Sequence, residues 1–277
     1  MASSPSLGTL VKLIALLLCC ALASPALAAD APTPTEQYEA GMRALKRGSY
    51  TRALELLNRV RNFHRDDPVA LKAELAIADV YFKKGDYEEA RLAYEDFARL
   101  HRRHQDLDYV VWRIGQALYK RAPQFAGRDQ TPTRQAINQW TGFAERFPES
   151  DYRDEVAQLS AKGKERLARK ELHIARFYER RHAWPAAARR AERLLQKYPD
   201  ADCAPDALWL LASALHANGD VARAKEVRDQ FAATGGDPKM LKRLDVLLAR
   251  PAGEPPKDEV FSKPYRSAAA VSAPGMP

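Results

Sequence analysis

The side chains best suited to chemistry are thinly spread along this 277-residue chain. His64, His101 and His104 form one loose group, and His173 with His182 another. A metal site needs thiolates or carboxylates at ligand spacing beside such histidines, and neither group has that frame. Surface histidines are the better reading. No nucleophile elbow, phosphate-cradling glycine loop or HExxH pair is present. Cys203 stands in a Pro-Asp-Ala-Asp-Cys-Ala-Pro stretch that reads as a loop between helices, where a small residue is expected rather than a nucleophile. The expectation is a protein without catalytic residues, metal or cofactor.

Positive charge is a stronger signal. The chain is formally +8 at pH 7, and the excess gathers in one region. Lys162, Lys164, Arg166, Arg169 and Lys170 are followed by Arg176, Arg180, Arg181, Arg189, Arg190 and Arg193. Such a stretch suits an acidic protein surface, anionic lipid headgroups or the carboxylate end of a client chain. It equally suits a solvated helix face. No nucleic-acid recognition motif accompanies it, so nucleic acid is not an expected partner. Aromatic residues supply a second candidate surface: Tyr38, Tyr81, Tyr94 and Trp112 could line a groove that takes an extended peptide. Tyr94, Phe97, Trp112 and Trp140 are more often core wedges than ligand platforms.

What positions these groups is a phrase that the chain repeats. Gly48-Ser49-Tyr50-Thr51-Arg52-Ala53 returns as Gly85-Asp86-Tyr87-Glu88-Glu89-Ala90, and again as Gly219-Asp220-Val221-Ala222-Arg223-Ala224. A fourth copy, His182-Ala183-Trp184-Pro185-Ala186-Ala187, keeps the aromatic and the alanine but loses the glycine. Gly48 to Gly85 and His182 to Gly219 are each 37 positions apart, near the tetratricopeptide period of about 34. Glycine turns the chain sharply after one helix. The aromatic opens the next helix and wedges against the first, and the alanine lets the two backbones approach. Pro68, Pro148 and Pro199 are expected to stop the second helices. One helix pair cannot bury its apolar stripe alone, so neighbours must stack. The expected fold is all-α, a tetratricopeptide-like α-solenoid of about five helix pairs.

The two ends have a different character. Lys12 precedes a compact apolar run over 13–23, and Pro25-Ala26-Leu27-Ala28-Ala29 then places small residues as a signal peptidase requires. That run falls short of the about 20 apolar residues that span a bilayer. A lipoprotein signal through Cys19 or Cys20 is the competing reading, although Leu18 and Cys19 stand where a small residue is wanted. The expected organisation is a cleaved signal over 1–28, a linker over 29–34 and repeats one to three over 35–148. A long linking helix, repeats four and five and a capping helix follow over 149–250, then a disordered Pro/Ala-rich tail over 251–277. Within the tail, Val260-Phe261 and Tyr265 are the only hint of a docking motif. Cys203 alone remains after cleavage, so no internal disulfide is expected.

Apolar periodicity places the helices. Tyr38, Met42 and Leu45 should face Leu54, Leu57 and Val60. Leu71, Leu75, Ala78 and Phe82 should face Ala90, Tyr94 and Phe97. A helix over 108–120 is separated by a loop from a single helix over 133–147, and that insertion is expected on a partner-facing surface. An uninterrupted helix over 154–181 gives a rod of about 40 Å. Segments over 186–198 and 207–231 complete the last pairs, with Leu241, Leu244, Leu247 and Leu248 capping the stack.

One region resembles a particular family. Phe147-Pro148-Glu149-Ser150-Asp151-Tyr152, the run Leu167 to Ala175, Phe177 to Trp184, Ala186 to Arg190, Leu194-Leu195 and Lys197-Tyr198-Pro199 are similar to the BamD family, as is Leu107-Asp108-Tyr109-Val110 earlier. The resemblance covers residues 35–231. It implies a periplasmic scaffold associated with the inner face of the outer membrane, with possible peripheral membrane contact. Its implied partners are the outer-membrane barrel insertase with its accessory factors, and unfolded outer-membrane proteins. It also implies that the N-terminal repeats receive clients and the C-terminal repeats dock on the insertase. Arg190 stands where the family has an arginine that pairs with an insertase carboxylate, with Arg189 as the alternative register and Arg193 and Trp184 beside it. A periplasmic adaptor that coordinates cell-wall synthesis is the alternative function.

Overall fold

A computed structural model describes residues 32–253. The segment expected to be a signal, with Cys19 and Cys20, and the tail segment Val260-Phe261 and Tyr265, lie outside the described residues.

Two features start the stack. Thr33 accepts a hydrogen bond from the Glu36 amide while Glu36 accepts one from the Thr33 amide, closing a capping box over α1 (Pro34–Lys46). α2 (Tyr50–Phe63) then folds back on it. α3 (Pro68–Lys84) and α4 (Tyr87–Leu100) repeat the hairpin. Pro68 does not stop α2, which has already ended at Phe63. It opens α3, where a missing amide hydrogen costs nothing, and Asp67 caps the Val69 amide at 2.8 Å.

The third pair joins α5 (Leu107–Arg121) to α6 (Thr131–Trp140) and a single turn, α7 (Phe143–Arg146). A continuous helix over 133–147 is therefore corrected to two pieces. Gly142 takes a left-handed φ of 71° between them. The long α8 (Arg153–Glu179) contains 27 residues, about 40 Å of helix. α9 (Trp184–Lys197), α10 (Ala204–Ala217), α11 (Val221–Ala233) and α12 (Pro238–Leu248) complete the order, with no strand among the described residues. Chain neighbours pack as spatial neighbours, and α1 also touches α3 as α8 touches α10. This is an all-α tetratricopeptide-like solenoid.

The repeated phrase does what its residues dictate. Gly48, Gly85 and Gly219 have φ of 75°, 91° and 85°, and Ala53, Ala90, Ala187 and Ala224 are fully buried. In the fourth copy His182 adopts the same left-handed turn at φ 55°, the one non-glycine to do so among the described residues. That conformation costs a side-chain-bearing residue about 1 kcal/mol. Edge-on packing of its ring against Trp184, at 5.0 Å, accompanies the strain.

The core is a chain of clusters, each bridging adjacent repeats. Leu45, Leu57, Val60 and Ile77 form the first, and Tyr94, Phe97, Val110 and Trp140 anchor the second. α8 serves two of them: Val156 joins the second, while Ala168, Leu172 and Ala175 join a third with Leu194, Leu210 and Leu211. Each such leucine contributes about 2 kcal/mol by leaving water. Met240, Leu244 and Leu247 of α12 seal the last cluster against Leu208 and Trp209.

Candidate functional site

The C-terminal candidate surface is built on α8 and α9. Trp184 opens α9 and packs on the third cluster from a partly buried position. Arg190 Nη1 donates to Glu171 Oε2 at 3.1 Å, and Arg193 Nε lies 3.8 Å from Glu171 Oε1. Glu171 is only 15% exposed, whereas Arg190 is 33% and Arg193 50% exposed. One half-sheltered carboxylate thus gathers two arginines that stand one helical turn apart. Arg189 is exposed on the adjoining face, with no ion-pair partner among the described residues. The structure brings Arg190 and Arg193 together and leaves Arg189 outside their cluster.

The N-terminal aromatic candidates separate into two kinds. Tyr38 and Tyr81 are partly exposed and pack at the edges of the first clusters. Burial, and secondarily the nearby Asp79 carboxylate, push the Tyr38 hydroxyl above its ordinary range. Tyr94 and Trp112 are corrected to interior residues. Tyr94 is fully buried and donates its hydroxyl to Asp79 Oδ1 at 2.5 Å. Trp112 is stacked on Tyr152 with ring centroids 4.2 Å apart and has the Arg113 guanidinium 4.4 Å from its own ring. Neither ring is free to meet a peptide.

Tyr94 belongs to a polar network that sequence reasoning missed. Tyr109 also donates to Asp79 Oδ1 at 2.5 Å, and Arg113 Nε donates to the Tyr109 hydroxyl at 2.9 Å. Burial first, then Asp79, raises both tyrosine hydroxyls, so they stay protonated donors. A lone aspartate inside the apolar run Ala76-Ile77-Ala78-Asp79-Val80 was the available signal, because a carboxylate there needs partners.

The insertion between α5 and α6 is shaped from within. Gln130 is fully buried; its Nε2 donates to the Pro123 and Phe125 carbonyls at 3.0 and 3.1 Å, and its Oε1 accepts from Thr133 at 2.6 Å. This holds Phe125 outward, edge-on to His173.

His101 and His104 are occupied structurally. His101 Nε2 lies 2.8 Å from Glu74, and His104 Nδ1 accepts from the Asp106 amide at 3.2 Å. No group of three or more histidines, cysteines and carboxylates is placed to hold a metal ion among the described residues. Cys203 precedes α10 and is buried, which pushes its thiol up to about 12. A thiol held protonated is a poor nucleophile. No described helix is long and apolar enough to cross a membrane.

With that geometry in view, comparison with known proteins decides the family. Residues 30–230 match the model of the YfiO family, described as an outer membrane lipoprotein. The chain belongs to the YfiO family. Among its relatives, the outer membrane protein assembly factor BamD of Neisseria meningitidis serogroup A is 27% identical over 200 residues, covering 69% of this chain and 75% of its own. BamD of Vibrio cholerae is 28% identical, covering 67% and 80%. BamD of Pasteurella multocida is 30% identical, covering 65% and 72%. Both candidate surfaces lie inside the YfiO match, and α12 lies beyond it.

Proposed function

We propose that this chain is a non-catalytic periplasmic scaffold in the assembly of outer-membrane β-barrel proteins. Membership of the YfiO family, whose relatives here are named as assembly factors, carries that reading. The two ends of the solenoid divide the work. Extended segments of unfolded barrel proteins bind along the N-terminal repeats, where Tyr38 and Tyr81 remain accessible. The barrel insertase docks on the basic edge of α9, with Arg190, Arg193 and Arg189 facing its carboxylates and Trp184 beneath them.

The mechanism is capture and positioning. Parallel rows of helices present a fixed surface, so a client pays ordering entropy without the scaffold paying it too. Charge on α9 speeds encounter with an acidic partner and fixes its orientation. No bond is made or broken. Depletion of the protein, in cells lacking other YfiO members, tests this: folded, heat-modifiable barrel proteins should fall several-fold in the outer membrane. Normal barrel levels alongside defective septal cell wall would contradict the proposal.

A further inference from the structure

A groove of about 940 Å³ opens between the end of α5, the insertion, the middle of α8 and the turn into α10. It shares α8 and α9 with the arginine surface described above, but Arg189, Arg190 and Arg193 do not line it. Lys162, Lys164 and Arg166 line it from α8, and Lys197 faces them from the end of α9. None of these four has an ion-pair partner among the described residues.

Arg166 is the most telling. Its guanidinium lies 4.3 Å from the Tyr119 ring. Nη2 donates to the Tyr119 hydroxyl at 3.0 Å and to Gln124 Oε1 at 3.3 Å, both neutral acceptors. Nη1 is buried and finds no acceptor. A cation partly sheltered from water and lacking an anion is costly, and a carboxylate brought beside the guanidinium would offset that cost by charge attraction. The acids nearby do not supply it. Glu165 is already engaged by Arg169 Nε at 2.6 Å and by the Asp202 amide at 2.8 Å. Asp200 and Asp202 also line the groove and are exposed, and neither pairs with Arg166.

We propose that this groove binds an extended acidic segment of a partner protein, anchored by Arg166 and Lys197. Lys162 to Arg166 spans about 6 Å along the helix, with Lys197 on the opposite wall, so the cations suit successive carboxylates better than one small anion. Ala157 and Ala161 give the recess an apolar lining for the segment's backbone and stems. A bilayer presents a plane and cannot enter a recess between helices, which favours a peptide over a membrane. The inference does not rest on insertase docking, since it uses neither Arg189, Arg190 nor Arg193.

The test is fluorescence anisotropy of a labelled (Glu-Ala)₆ peptide titrated with the full chain at about 50 mM salt, where screening is modest. Arg166→Gln and Lys197→Gln should each weaken binding by about fivefold or more. Arg103→Gln, which removes equal charge at an exposed turn, should change it less than about twofold. Thermal melts report folding, and Lys197→Gln decides the matter if Arg166→Gln does not fold. Equal loss in all variants, or none in any, overturns the proposal. So does flotation with phosphatidylglycerol vesicles that needs Arg166 while peptide binding does not.

Discussion

Arg190 is hydrogen-bonded to Glu171 across the contact between α8 and α9, at 3.1 Å, with Arg193 drawn to the other oxygen of the same carboxylate. The arginine assigned by family resemblance to a partner's carboxylate is therefore already paired within the chain. Docking must exchange one acceptor for another or add a second. Glu171→Gln should lower stability by about 1 kcal/mol, the scale of a partly exposed pair, in a urea titration. The same change should tighten partner capture, because Arg190 then has less to give up. Unchanged capture would mean that Arg190 stays with Glu171 in the complex.

A glycine decides the third repeat. A methyl added at Gly115 would overlap the Trp140 indole, whose Nε1 donates to the Trp112 carbonyl at 3.2 Å. Gly115→Ala should destabilise by about 2 kcal/mol through overpacking and shift the tryptophan emission, both measurable in one denaturant series.

The Asp79 network tests the corrected place of Tyr94. Tyr94→Phe leaves a half-buried carboxylate one donor short and should cost about 2 kcal/mol. Combined with Tyr109→Phe, the loss should exceed the sum of the two, since both hydroxyls donate to the same oxygen. Tyr94→Phe should leave binding of a client-derived peptide unchanged, whereas Tyr38→Ala should weaken it.

Glu179 ends α8, and burial pushes its carboxyl up to about 7 from an ordinary value near 4.5, against the pull of Arg176 and Arg180. Between those values the folded chain keeps a proton that the unfolded chain has released. Stability from this group is thus complete below about pH 4.5 and is lost as pH rises through about 7. Glu179→Gln should match the wild type near pH 4.5 and exceed it by on the order of 2 kcal/mol at pH 8. Melting curves at the two pH values check the sign.

The fold could be read in the sequence wherever local chemistry and tertiary packing agree. Gly48, Gly85 and Gly219 are turns because only glycine occupies that backbone region cheaply. Ala53, Ala90 and Ala224 are buried because close helices leave no room for more. His182 kept the turn without the glycine, and its place in the repeat rather than its own propensity foretold that. The break at Gly142 was hidden because one glycine in a helical pattern is ambiguous until the next repeat imposes a direction. Site residues were harder. Arg190 and Glu171 are 19 positions apart, and Tyr94 and Asp79 are 15 apart, so their pairing depends on how helices cross. Aromatic content alone could not separate the accessible Tyr38 from the buried Tyr94.

Affinity capture from envelope extracts, with the tagged chain as bait, tests insertase docking. The outer-membrane barrel insertase should be recovered with the wild type and lost with Arg190→Glu, while Arg103→Glu retains it. Recovery of cell-wall synthesis factors without the insertase would contradict the account.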